Sequence, residues 1–495
     1  MEIGRVERWV KERVKQDEID KYLDQGNDFI PDVDIEREIA SAKPDPKKVK
    51  DILQKSMAVE TLTLQETAAL LNVRDPEVWE EMEHTAGLVK KKVYDNRIVT
   101  FAPLYLGNLC VNNCVYCGFR SSNDGAKRQI LTLDEVKKET ETLAGKIGHK
   151  RLIVVYGEHP DTGVEYMEDT IRAIYSTKVK TKNGEGAIRR VNVNAAPMPV
   201  AELRRLHEVG IGTYQVFQET YHRDTYKRLH PKGTLKADYR WRLYCMHRAI
   251  EAGIDDVGLG VLFGLYDWRF EVMGLVAHSM ELEKKFGIGA HTVSFPRLEP
   301  AHNTPFLQKL KYAVSDEDFR KILIAIRLAV PHAGMILTAR ESADIRRKFM
   351  PLGITQIDAS SKIGIGAYSD GGEAQKGEKQ QFFLGDTRSL DEVIRELAEK
   401  GMITSFCTAG YRCGRTGECI MELLRSGREG QFCKLNAVLT FREWLDDFAS
   451  PETREAGEKV INKELEEVCF KMPEIYPELV KNYNRIKSGE RDLYF

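Results

Sequence analysis

The hydrophobic pattern of the chain changes near residue 96. Before it, apolar residues recur at helical spacing, as in LQETAALL (64–71) and across 76–91, the repeat of an amphipathic helix. After it, short runs rich in Val, Ile and Leu alternate with longer amphipathic stretches. The runs predict strands at 99–104, 152–156, 191–194, 213–217, 257–262, 292–295, 335–338 and 355–358. The stretches between them predict helices, among them 133–143, 167–175, 201–209, 237–252 and 316–328. Eight strands with intervening helices predict an α/β protein built on a closed parallel (β/α)8 barrel of the TIM type. An open doubly wound sheet is the alternative. The expected organisation is a helical N-terminal extension over 1–95 and the barrel over 96–367. A loop rich in Gly, Lys and Glu follows over 368–385, then a C-terminal, cysteine-containing region over 386–495.

Composition narrows the class. The 495 residues are 42% hydrophobic, enough for a large core, and the net charge is −2. So even a balance gives no electrostatic reason to expect nucleic acid as a partner. No run of about 18 apolar residues appears, so no transmembrane helix and no membrane partner are expected. The N-terminal stretch MEIGRVERWVKERVKQDEID is charged and amphipathic, unlike a signal peptide, and the expected location is cytoplasmic. Nine cysteines, an odd number, cluster at 110–117 and 407–433, with Cys245 and Cys469 apart. In a cytosolic chain such clusters point to metal or redox chemistry rather than disulfides.

The first cluster follows the first predicted strand and reads Cys110-Val-Asn-Asn-Cys114-Val-Tyr116-Cys117, a C-x3-C-x2-C spacing. Three thiolates on one loop can cap three irons of a cubane and leave the fourth open, whereas ordinary electron-transfer clusters take a fourth thiolate. The open iron makes room for a small chelating molecule. A structural zinc site takes four ligands, usually as two pairs, which this loop does not offer.

On these residues the chain resembles the radical S-adenosylmethionine (SAM) superfamily, in which such a loop holds a [4Fe–4S] cluster that cleaves SAM. Within it the chain is similar to the aromatic-amino-acid lyase branch, to the HydG family most and the ThiH family next. The resemblance spans roughly 60–495 and is carried by Asn96-Arg97-Ile98-Val99, the cysteine loop, Arg189-Arg190-Val191-Asn192-Val193-Asn194, QETYHR (218–223), AGIDDVGLGVLFGLYD (252–267), SFPRLEPA (294–301) and GERDLYF (489–495). It implies SAM contacts at Tyr116, Gly157, Glu158, Gln218, Glu219, Arg223, Gly260 and Val261. It also implies that a 5′-deoxyadenosyl radical breaks the Cα–Cβ bond of tyrosine or a related amino acid, giving p-cresol and dehydroglycine. The electron donor expected of such an enzyme is a ferredoxin or flavodoxin. A homodimer is compatible with the sequence, though no pattern calls for one. A non-catalytic iron–sulfur scaffold is the competing class, and it would not need Glu158 or Glu219.

Arg297 is the first candidate to clamp the substrate carboxylate, since a guanidinium offers a two-pronged fork; a structural ion pair is its alternative. Arg340 is the second candidate. Tyr105 could line the SAM site.

Two departures from the family pattern stand out. The family's second-cluster motif is Cys-Thr-Ala-Cys-Tyr-Arg, and here it reads Cys407-Thr408-Ala409-Gly410-Tyr411-Arg412-Cys413. The middle ligand is a glycine. Three readings stay open: a second Fe–S cluster on Cys407 and Cys433 with Cys413 or Cys419, a zinc or redox site, or no metal. His278 and His291 lie where the family places an iron-binding histidine, and Glu281 stands in the same region. The second departure is Glu299, where relatives carry an arginine, together with Asp358 on the eighth strand. Acids at barrel strand ends either pair with arginines or meet a basic group on a substrate.

Overall fold

The computed structural model describes residues 2–426 and 429–495. Eight parallel strands form a closed barrel: β1 (Arg97–Gly107), β2 (Arg151–Tyr156), β3 (Arg190–Asn194), β4 (Tyr214–Glu219), β5 (Val257–Val261), β6 (Thr292–Ser294), β7 (Gly334–Leu337) and β8 (Gln356–Asp358). Each hydrogen-bonds to the next, and β8 returns to β1 in the register Val99↔Gln356, Thr100↔Ile357, Phe101↔Asp358. Closure rules out the open sheet, and all eight expected strands are present.

β1 is buried along its whole length, because one face meets the barrel interior and the other meets the ring of helices. The helix Asp316–Ala329 shows how sequence builds that ring. Ser315 caps it by accepting from Asp318 N, three acids occupy its first turn, and Phe319, Ile322, Leu323 and Ile326 are buried. Such a cap contributes about 1 kcal/mol. The N-terminal helices Pro46–Met57, Leu64–Leu71 and Pro76–Tyr94 pack on this helix. Leu62 N donates to Ala329 O at 2.9 Å and Ser56 Oγ to Leu328 O at 2.9 Å.

The helix expected at 237–252 is broken into Tyr239–Leu243 and Cys245–Glu251. Tyr244 leaves helical geometry there, with φ −87° and ψ 14°. A short ninth strand, β9 (Ile403–Ser405), adds to the base of β1 through Arg97↔Ile403, and nothing in the hydrophobic pattern announced it. The helices Glu429–Phe448 and Pro451–Lys471 pack against β9. At the other end, the last residues of the 368–385 segment fold over the mouth, where Gly118 N donates to Gln381 O at 3.1 Å. No helix among the described residues is long and apolar enough to cross a membrane.

Candidate active site

The C-terminal ends of the strands enclose a cavity of about 210 Å³, the end at which (β/α)8 barrels place their chemistry. Strand alternation selects its walls. Phe101, Pro103 and Tyr105 face inward from β1, and Gln215, Phe217 and Glu219 from β4. The loop after β1 brings Cys110, Cys114, Tyr116 and Cys117 to the same cavity, beside Gly157 and Glu158 from the end of β2.

The cysteine loop is fixed by polar grips on both flanks. The Asn108 side chain donates to Lys127 O at 2.8 Å and accepts from Gln129 N at 2.7 Å. Arg128 donates to the carbonyls of Asn108, Phe119 and Arg120. Val111 N donates to Glu158 O at 2.8 Å. A Cβ at Gly157 would lie 2.1 Å from Leu109 O, so only glycine lets β2 end this close to the loop.

The donor set fits a cationic iron–sulfur cluster. Burial pushes the Cys110 thiol up, and burial together with the Cys117 and Cys110 thiols takes Cys114 up to about 12 against the pull of Lys236. Thiols so placed ionise readily only when a metal supplies positive charge. Glu158 fits the amino group of a chelating ligand. Its Oε2 accepts from Asn112 Nδ2 at 2.5 Å, while its Oε1 is buried with no partner. Burial raises its carboxyl above the usual range, against the pull of Arg13, Arg242 and Lys236. Tyr116 is held by a 2.8 Å hydrogen bond between its hydroxyl and His230 Nε2. Glu219 has a φ of 71°, at a register shift between β4 and β5, and receives Lys236 Nζ at 2.6 Å and Arg242 Nη2 at 3.5 Å. Such a strained conformation persists only where surrounding contacts enforce it.

Several expected site residues lie elsewhere. Gln218 has the outward parity of β4 and is buried with neither amide atom partnered. Arg223 points away from the cavity and binds Asp28 and Asp32, tying down the N-terminal segment. Gly260 meets the cavity only indirectly: a Cβ there would collide with the Phe217 ring at 2.2 Å, so its absence lets Phe217 form the wall. Val261 belongs to the hydrophobic core.

The expectation for Arg297 is corrected. Its guanidinium binds Glu341 and Asp316 and lies over the Phe319 ring, outside the cavity. Ser294 and Pro296 line the cavity, while Arg297 beside them is drawn outward to Glu341 and Asp316. Arg340 does line the cavity. Its guanidinium lies 3.3 Å from the Phe382 ring centroid, and among the described residues no hydrogen bond or ion pair engages it. Asp358 also lines the cavity but is satisfied internally, accepting from Ala339 N at 2.7 Å and Ser361 Oγ at 2.5 Å. Tyr105 donates to Gln381 Oε1 at 3.1 Å. Sequence reasoning missed Asn112, Lys236, Arg242, Gln381 and Phe382, which all line the cavity. Asn112 was available inside the cysteine motif. The others arrive from segments whose path no pattern reveals.

A second, smaller cavity of about 40 Å³ lies at the base of the barrel. Cys407 and Cys433 line it with His291, Asp256, Gly410 and Tyr411. Cys413 and Cys419 are exposed and do not reach it; Cys413 donates to Phe495 O at 3.4 Å. A shifted third thiol at 413 or 419, one of the open readings, is thus not in place. At Gly410 a Cβ would meet nothing nearer than Arg415 O at 3.7 Å, so the space for a third thiol exists without the thiol. His291 Nδ1 is buried and unpartnered. His278 lies apart, bonded through Nδ1 to Tyr221 OH at 3.0 Å, and Glu281 lies 3.7 Å from His247 Nε2.

Comparison with known proteins agrees with this geometry. The model of the radical SAM superfamily matches residues 104–273, and that of the biotin and thiamin synthesis associated domain matches 294–403. The 2-iminoacetate synthase of Escherichia coli (strain K12) is 30% identical over 352 residues, covering 71% of this chain and 88% of its own. A crystal structure of HydG, a maturase of the [FeFe]-hydrogenase, aligns with a TM-score of 0.89 at 47% identity, covering 95% of this chain and 100% of that one. HydG from Carboxydothermus hydrogenoformans aligns with a TM-score of 0.75 at 38% identity, covering 92% and 98%.

Proposed function

The chain belongs to the radical SAM superfamily, in the group that holds HydG and 2-iminoacetate synthase, and from that premise we propose that it cleaves the Cα–Cβ bond of tyrosine to p-cresol and dehydroglycine. The observation that carries the reading is one cavity containing three thiols, a carboxylate with an orphaned oxygen and an unpaired guanidinium. Cys110, Cys114 and Cys117 would hold a [4Fe–4S] cluster, which would supply the electron for reductive cleavage of SAM to methionine and a 5′-deoxyadenosyl radical.

The chain's own residues orient and exclude. Glu158 offers Oε1 to the SAM ammonium group, and Asn112 holds the other oxygen. Lys236 and Arg242 hold Glu219 in its strained conformation. Arg340 takes the substrate carboxylate. Phe101, Phe217 and Phe382 give the cavity apolar walls that keep water from a reactive radical. The segment ending at Gln381 and Phe382 covers the cysteine loop.

At the base, the donor set does not fit a second cubane. Two thiols face the cavity where three are needed, and no step of the reaction is assigned there. The expected product is therefore dehydroglycine itself. The electron donor proposed is a ferredoxin or flavodoxin. A scaffold without catalysis is disfavoured by the orphaned Glu158 oxygen, which a bare cluster would leave unsatisfied.

The test is anaerobic turnover of the reconstituted protein with reductant, SAM and tyrosine. Production of 5′-deoxyadenosine and p-cresol together supports the reading. Deoxyadenosine without p-cresol moves the assignment to another amino-acid substrate, and no deoxyadenosine removes it.

A further inference from the structure

Four carboxylates line the mouth cavity: Glu158, Glu219, Glu299 and Asp358. Three are engaged. Glu158 meets Asn112 beside the thiols, Glu219 meets Lys236, and Asp358 meets the Ala339 N–H and the Ser361 hydroxyl. Among the described residues, no hydrogen bond or ion pair engages Glu299. Its sequence neighbour Arg297 is committed to Glu341 and Asp316.

Arg340 presents the complementary case, a guanidinium in the same cavity that is stacked on Phe382 and, among the described residues, in no hydrogen bond or ion pair. Glu299 follows β6 and Arg340 follows β7, which are adjacent strands. Two opposite charges thus face one partly buried space with no ion pair between them. Half-buried charges without partners are costly, and a ligand that pairs both removes the cost.

Resting on the amino-acid lyase reading, we infer that Glu299 and Arg340 form a zwitterion clamp, in which Arg340 binds the α-carboxylate of the substrate and Glu299 its ammonium group. The clamp makes Glu299 a specificity-determining residue. It selects free α-amino acids against analogues lacking the ammonium group, whatever the side chain beyond. Burial, with Glu341 nearby, pushes the Glu299 carboxyl up to about 7, as befits a carboxylate whose cation comes with the ligand.

The experiment is anaerobic calorimetry on the reconstituted full chain with SAM, titrating tyrosine, 3-(4-hydroxyphenyl)propionate and tyramine. Wild type is expected to bind tyrosine more tightly than either analogue by about 10–100-fold, the worth of a charge-assisted contact. Glu299→Gln should lose the preference over the propionate and keep that over tyramine. Arg340→Met should do the reverse, and Glu299→Asp should retain part of the preference. Glu299 has no partner to lose, so the variant's fold is not at risk. Unchanged tyrosine affinity in Glu299→Gln overturns the clamp while leaving the lyase reading intact. If tyrosine yields no p-cresol but another α-amino acid binds with the same dependence on Glu299, the tyrosine reading falls and the clamp stands. Failure of every α-amino acid to bind overturns both.

Discussion

The two ends of the barrel carry the same residue type in similar number, yet only one end gathers a complete set of thiols. At the mouth, Cys110, Cys114 and Cys117 share one loop and one cavity. At the base, Cys407 and Cys433 meet from separate elements of the C-terminal region, while Cys413 and Cys419 face solvent. A short motif on a single fixed loop survives as a unit. A site assembled from separate segments is broken by one substitution, and an extra cysteine three residues along the chain points elsewhere.

The sharpest test of that contrast is Cys114→Ala, which should abolish 5′-deoxyadenosine formation and remove about four irons per chain, a full cubane. Retained cleavage would end the assignment of the mouth. At the base, wild type should hold about four irons in total, and Gly410→Cys should raise this toward about eight, because a third thiol completes the set. Cys407→Ala should leave SAM cleavage unchanged. Eight irons in wild type would erase the contrast and implicate His291 as the missing ligand.

Smaller effects refine the mouth itself. Glu158→Gln should raise the KM for SAM by about tenfold or more, the loss of one charge-assisted contact, with little change in kcat. Arg297→Met should leave the KM for the amino acid unchanged and lower thermal stability. It strands Glu341, whose side chain is 2% exposed, at a cost of about 3–5 kcal/mol, read as a fall in Tm. Least in size is a pH effect. Arg340, Arg297 and Glu341 surround Glu299, and its carboxyl, raised to about 7, is neutral below that value and ionised above it. Amino-acid binding should therefore strengthen as pH rises from about 6 to about 8, and Glu299→Gln should flatten the profile. A wild-type profile already flat over that range would contradict an ionising Glu299.

The barrel was legible because its signal is periodic. All eight strands stand within a few residues of their expected positions, since burial on both faces leaves continuous apolar runs. The cysteine loop was legible because its ligands are local. Arg297 misled because a guanidinium fork suits a substrate carboxylate, although it alternates with Ser294 and Pro296, which face inward. Gln218 fell to the same alternation, and Arg223 to an N-terminal segment that returns to bind it.

The sequence by itself determined the barrel, the three-thiol loop and the missing thiol at 410, because each depends on residue identity at short range. Only the tertiary structure decided which charges remain unpaired. Arg297 is committed to Glu341 and Asp316 and Asp358 to Ala339 and Ser361, while among the described residues no hydrogen bond or ion pair engages Glu299 or Arg340. Pairing depends on distances between strand ends that are far apart along the chain, and a linear pattern carries no information about them.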